Sequence, residues 1–175
     1  MEDDGIEFEP PGNSLEWKYL VLHHSATEGG SVESVDAGHR ERKDQFGNPW
    51  RGIGYHFVIG NGDGMPDGQI ESTFRWKEQL HGAHAGSRQH NRRGVGICLI
   101  GNFEETAPTP RQIAAVKRLC EWLSDRYGIS GERVLRHLDV AATKCPGRLF
   151  PYEELIDELE NRPLAVTAEV DHDAF

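Results

Sequence analysis

Cys145 precedes Pro146-Gly147 and follows His137 by eight residues, and a second histidine pair, His23-His24, closes an apolar run that begins at Tyr19. Two imidazoles and a thiolate make a soft nitrogen and sulfur donor set suited to zinc. Three protein ligands leave a fourth position for water, the arrangement of a catalytic metal, whereas a structural zinc would need a fourth protein ligand. The histidines fall where strands give way to loops, which is where open α/β sheets place their sites. A lone histidine or cysteine at a strand end is ordinarily packing or surface. Spacing by itself therefore leaves zinc and no zinc both open.

The elements that must position these residues are legible as apolar runs bounded by Gly and Asn. Residues 19–23, 55–59, 69–74, 95–100 and 134–137 are rich in Val, Ile, Leu and aromatics and predict five strands. The glycine-rich stretch 60–64, with 66–68, predicts the turn of a long hairpin between the second and third strands. The clearest helix starts at Thr109-Pro110-Arg111-Gln112, with a cap, a proline at the first helical position and a capping-box Gln. Ile113, Val116, Leu119, Cys120, Leu123 and Tyr127 then form an apolar stripe that stops at Gly128. Two further helices are expected over 32–44 and 151–160. The alternation predicts an α/β single domain with a central mixed β-sheet covered by helices.

The chain has 175 residues, the length of one domain, and its formal charge of −10 is concentrated at the ends. Residues 1–13 and 164–175 hold eight of the 29 acids and no Lys or Arg, leaving 21 acids against 19 bases between them, about −2. They read as an acidic disordered arm and an acidic tail flanking a body at 14–163, and both ends are expected to be dispensable for the fold. A near-neutral body with acidic ends argues against nucleic acid or an anionic membrane as partner. No signal-peptide pattern or run long enough to cross a bilayer is present, so synthesis in the cytoplasm is expected. Three widely spaced cysteines, Cys98, Cys120 and Cys145, are not a disulfide framework.

Five blocks of this sequence, taken in order, resemble a known family. They are Leu22-His23-His24-Ser25-Ala26-Thr27; Trp50 through Gly54-Tyr55-His56-Phe57; Gly82-Ala83-His84-Ala85-Gly86; Val95-Gly96-Ile97-Cys98-Leu99 with Gly101-Asn102-Phe103; and His137 through Asp139 to Thr143-Lys144-Cys145-Pro146-Gly147. Their order is similar to that of the zinc N-acetylmuramoyl-L-alanine amidases of the type 2 class. That class includes amidase-type phage lysozymes and animal peptidoglycan recognition proteins.

The resemblance implies one zinc per chain held by His23, His137 and Cys145, with His24 turned to the opposite face of its strand. It implies Tyr55 and Thr143 as catalytic groups, Tyr55 beside the reacting water and Thr143 at the oxyanion, while Lys144 lies one residue out of register for that role. His84, Trp50, Arg51 and Asn91 resemble groove positions that bind substrate; His56 and Cys98 read as structural. The implied reaction cuts the amide between the lactyl group of N-acetylmuramic acid and the first L-alanine of a stem peptide. The implied partner is peptidoglycan or a released muropeptide, met by a monomer at the cell wall. Two rivals belong to other classes: a recognition module without catalysis, and a regulatory interaction protein using its acidic ends. No second carboxylate at a suitable spacing suggests a glycosidase pair.

Overall fold

A computed structural model describes residues 8–10 and 12–162. Five strands, β1 (Tyr19–His24), β2 (Phe57–Ile59), β3 (Ile70–Ser72), β4 (Gly94–Leu99) and β5 (Val134–Arg136), form one sheet in the order β3-β2-β4-β1-β5. β1 runs parallel to β4 and β5, and β2 parallel to β4, while β2 and β3 are antiparallel. This is the mixed sheet expected from the sequence, and the 60–68 turn closes the β2–β3 hairpin with Ile59 opposite Ile70. The helices are α1 (Val32–Arg40), α2 (Phe74–Lys77), α3 (Arg88–Arg93), α4 (Pro110–Tyr127), α5 (His137–Val140) and α6 (Tyr152–Glu160).

Period-2 alternation splits each strand between two environments. Leu20 and Leu22 of β1, Val95, Ile97 and Leu99 of β4, and Phe57 and Ile59 of β2 pack in one cluster under α4 and α6. From the helical side α4 contributes Ala115, Val116, Leu119, Cys120 and Leu123, all buried. Both reciprocal bonds of the Thr109–Gln112 capping box are present, and Gly128 ends the helix in the left-handed conformation at φ 65°. On the opposite face, His23 lies level with Cys98 and Val21 level with Gly96. There α1 lays Val32 and Val35 against Ile53, Val58, Met65 and Ile100.

Several element ends differ from the sequence expectation for local reasons. α1 stops at Arg40, not 44, because the Asp44 carboxylate accepts the Phe46 and Asn48 amides and folds a turn. Residues 74–77 are helical, with the Thr73 hydroxyl accepting the Arg75 amide at their start. His137 opens α5 instead of ending β5, since Asp139 accepts the Arg136 amide at 2.8 Å. α3 buries no residue of its own and so left no apolar periodicity to read.

The arm expected over 1–13 is corrected at residues 8–10. Phe8 is 6% exposed, with its ring 5.5 Å from Phe57 and 5.4 Å from Trp122. Trp76 Nε1 donates to the Phe8 carbonyl at 2.8 Å, and Glu9 pairs with Arg126. One aromatic ring with a slot to fill outweighs an acidic composition. Residues 1–7 and the tail at 164–175 lie outside the described residues. Cys98, Cys120 and Cys145 are all free and buried.

Candidate metal centre

β1 delivers His23 to the sheet face turned away from α4, fully buried. The β5–α5 junction brings His137 beside it, with the ring centroids 4.5 Å apart. The loop after α5 brings Cys145, whose Sγ stands 3.7 Å from His23 Nδ1. One donor atom from each of the three residues lies within 4.8 Å of the others. A tetrahedral zinc with bonds of about 2.05 Å to nitrogen and 2.3 Å to sulfur spaces those donors about 3.6 Å apart, so the donor set fits that ion in kind and in reach.

His24 does not join this cluster. Its ring turns to the other side, where Nδ1 accepts the Phe103 amide at 3.0 Å, and its own amide donates to Cys145 Sγ at 3.3 Å. Burial pushes the Cys145 thiol up to about 12, and that backbone bond opposes the rise. Burial also holds His23 well below the usual imidazole range, with His84 and His137 adding to the effect, and lowers His137. In the absence of a cation the site is therefore a neutral thiol and two neutral rings, all able to become ligands once a divalent ion repays desolvation.

Around these residues opens a cleft of about 440 Å³ lined by Tyr55, Thr143, Trp50, His84 and Asn91 together with His24, Ser25, His39 and Arg42. The Tyr55 ring centroid is 4.9 Å from that of His23, and burial keeps the phenol well above its ordinary pKa, so it stays a donor. The Thr143 hydroxyl accepts the Cys145 amide at 3.2 Å, which holds it at the cleft wall. Lys144 is exposed and is not among the lining residues. Arg51 is exposed and lies outside the lining as well; Arg42 takes that side of the cleft, its guanidinium 5.4 Å from the Trp50 ring centroid.

His84 is 7% exposed and sits behind His23, with Nδ1 2.9 Å from His23 Nε2 and Nε2 3.1 Å from the Gly94 carbonyl. Asn91, on α3, accepts the amides of His84 and Ala85 through Oδ1 at 2.8 and 2.9 Å. His56 is also structural in geometry: Nδ1 accepts the Gly96 amide and Nε2 donates to the Leu80 carbonyl, each at 2.9 Å. Sequence reading missed His39 and Arg42. His39 is 5% exposed, its Nδ1 accepts the Gly54 amide at 2.9 Å, and burial lowers it to about 4, which leaves a neutral ring with its proton on Nε2 at the cleft wall. Neither residue belongs to a spacing that suggests chemistry; only the approach of α1 to the loop before β2 makes them neighbours of Tyr55.

Comparison with known proteins adds an independent line. A family model described as N-acetylmuramoyl-L-alanine amidase matches residues 13–148. Peptidoglycan-recognition protein SC2 of Drosophila melanogaster is 32% identical over 138 residues, covering 74% of this chain and 67% of that protein. The solved structure of N-acetylmuramoyl-L-alanine amidase LysC from Clostridium intestinale URNW is similar with 34% identity and a TM-score of 0.69, over 83% of this chain and 86% of that one. The ectodomain complex of peptidoglycan recognition proteins LCa and LCx bound to tracheal cytotoxin is similar with 28% identity and a TM-score of 0.63, over 84% and 85%.

Proposed function

Because the chain belongs to the N-acetylmuramoyl-L-alanine amidase family, we propose that it hydrolyses the amide between the lactyl group of N-acetylmuramic acid and L-alanine, with one zinc held by His23, His137 and Cys145. The observation that carries this reading is the complete donor set, gathered within 4.8 Å at the floor of a cleft that also presents Tyr55 and Thr143. Zinc held there would make water a usable nucleophile near neutral pH and polarise the scissile carbonyl.

The remaining work falls to the chain. The protonated Tyr55 phenol donates to the attacking oxygen or to the oxygen of the tetrahedral intermediate as charge develops on it. Thr143, tied to the Cys145 amide, offers its hydroxyl proton to the same oxyanion. His39 offers a neutral Nε2–H to a substrate carbonyl, and Trp50 with Arg42 forms the wall against which a sugar or peptide lies. The substrate is peptidoglycan or a released muropeptide, and the site of action follows its location; among the described residues no helix is long and apolar enough to cross a membrane.

Recognition without hydrolysis is favoured by one observation, that relatives such as the Drosophila SC2 protein are named for recognition. A recognition groove has no need of two histidines and a cysteine converging on one point, and we weigh that above the names. Digestion of purified sacculi, with the freed ends identified by mass spectrometry, tests the assignment. New lactyl ends matched by free L-alanine amines are expected. Retained binding with no new ends would replace hydrolysis with recognition, and new reducing sugars would replace both.

A further inference from the structure

We propose that Asn91 and His84 form a cradle that fixes the ring tautomer and orientation of the histidine donor His23, so that Asn91 is a positioning residue for the metal site. The inference rests on the reading of His23, His137 and Cys145 as zinc ligands and deepens it.

The hydrogen bonds run in one direction. A carbonyl oxygen only accepts, so His84 Nε2, 3.1 Å from the Gly94 carbonyl, carries the ring proton. His84 Nδ1 is then an acceptor, and His23 Nε2, 2.9 Å away, must donate to it. That leaves the His23 lone pair on Nδ1, the nitrogen facing Cys145 Sγ. With the opposite tautomer, His23 would aim an N–H into the metal position. The assignment is that of a neutral His84 ring, in which one nitrogen donates and the other accepts.

His84 and Ala85 are consecutive residues whose amides turn to one side chain. What holds that pair is Asn91, whose Oδ1 accepts both amides, while the Asn91 carbonyl accepts the Gly82 amide at 2.8 Å. Asn91 lines the cleft, but its Oδ1 is committed to the two amides.

The sheet is cut to receive the cradle. A Cβ on Gly96 would lie 2.6 Å from His84 Cδ2, and one on Gly82 would collide with the same ring. Both glycines are needed by the close approach of the imidazole to the strand. Outer partners of zinc histidines typically carry 10- to 100-fold of metal affinity.

The test measures zinc dissociation constants of the full chain by competition with a chromophoric chelator. Asn91→Leu and His84→Leu are expected to weaken zinc by about 10- to 100-fold. Asn91→Asp, which keeps an oxygen for both amides, and His84→Gln, which keeps an acceptor and a donor, should stay near wild type. The double Leu variant should bind no more weakly than Asn91→Leu alone, because the two act through one segment. Two-bond proton–nitrogen NMR on the chelator-stripped chain should place the His23 proton on Nε2 in wild type and Asn91→Asp, and on both nitrogens in His84→Leu. Wild-type affinity in both Leu variants overturns the cradle, as does equal loss in the conservative and Leu variants, which would mean plain packing. A wild type that binds no zinc overturns the metal reading instead, while the NMR tautomer still decides the cradle.

Discussion

The two faces of the sheet obey opposite rules. Toward α4, β1 and β4 present Leu20, Leu22, Val95, Ile97 and Leu99, branched side chains that fill volume. Toward the cleft the same strands present His23, Cys98 and Gly96, and the space left by the missing side chain at 96 takes an imidazole ring. One face is held by contact area, which tolerates modest rearrangement; the other adds to its smaller apolar patch under α1 directed hydrogen bonds that hold the His84 and His56 rings through both nitrogens. Stability and chemistry are thus separated by a single residue step along one strand.

The largest effect expected on the cleft side comes from Cys145→Ser, which should abolish stoichiometric zinc and muropeptide hydrolysis while the helix-covered face keeps the chain folded. Metal analysis beside circular dichroism decides it, and a stoichiometric metal surviving in the variant would remove the ligand assignment. Next, Tyr55→Phe and Thr143→Ala should each lower kcat by about 10- to 1000-fold with zinc retained, as expected for one oxyanion donor. Lys144→Ala should do much less; if it proves the more damaging change, the Thr143 register is wrong by one residue.

On the other face, Leu22→Ala should cost about 2–5 kcal/mol in urea unfolding through a buried cavity. Zinc stoichiometry below the transition should be unchanged. Loss of zinc at full folding would show that the two faces are not separable. The smallest effect is a pH dependence carried by His56, whose two nitrogens are both engaged and which burial lowers to about 4. Above the unfolded value of about 6.5 neither state is protonated. As pH falls from there toward 4 the unfolded chain takes up a proton that the native ring refuses, so stability drops, by about 3 kcal/mol at most, and levels off below 4. Urea midpoints across that window, measured with chelator present, should fall with pH and fall less in His56→Gln. A flat profile in the wild type would end this account.

Much of the fold was legible because it rests on periodicity. The apolar runs of β1 and β4, the capping box at Thr109 and the stripe along α4 are local signals that packing then reinforced. The His23, His137 and Cys145 set was legible from residue type and the family blocks, and the structure gathers the three. What escaped reading depends on distant parts of the chain meeting. Asn91, expected at the groove, lines the cleft, but that its oxygen is spent on two amides seven and six residues earlier could not be read from the sequence. Arg51 carries the right charge but is not among the cleft-lining residues, whereas Arg42 is, after α1 ends early and the Asp44 turn follows. Phe8 was hidden by its acidic neighbours.

Phe8 packs against Phe57 and Trp122, on the α4 side of the sheet, while the cleft opens on the other. The backbone is pinned there by the Trp76 indole and the Glu9–Arg126 pair, so the chain enters the domain from behind the site. This sets a handedness of attachment: a bead, a surface or a fused carrier coupled ahead of residue 8 is expected to leave the cleft side of the molecule open.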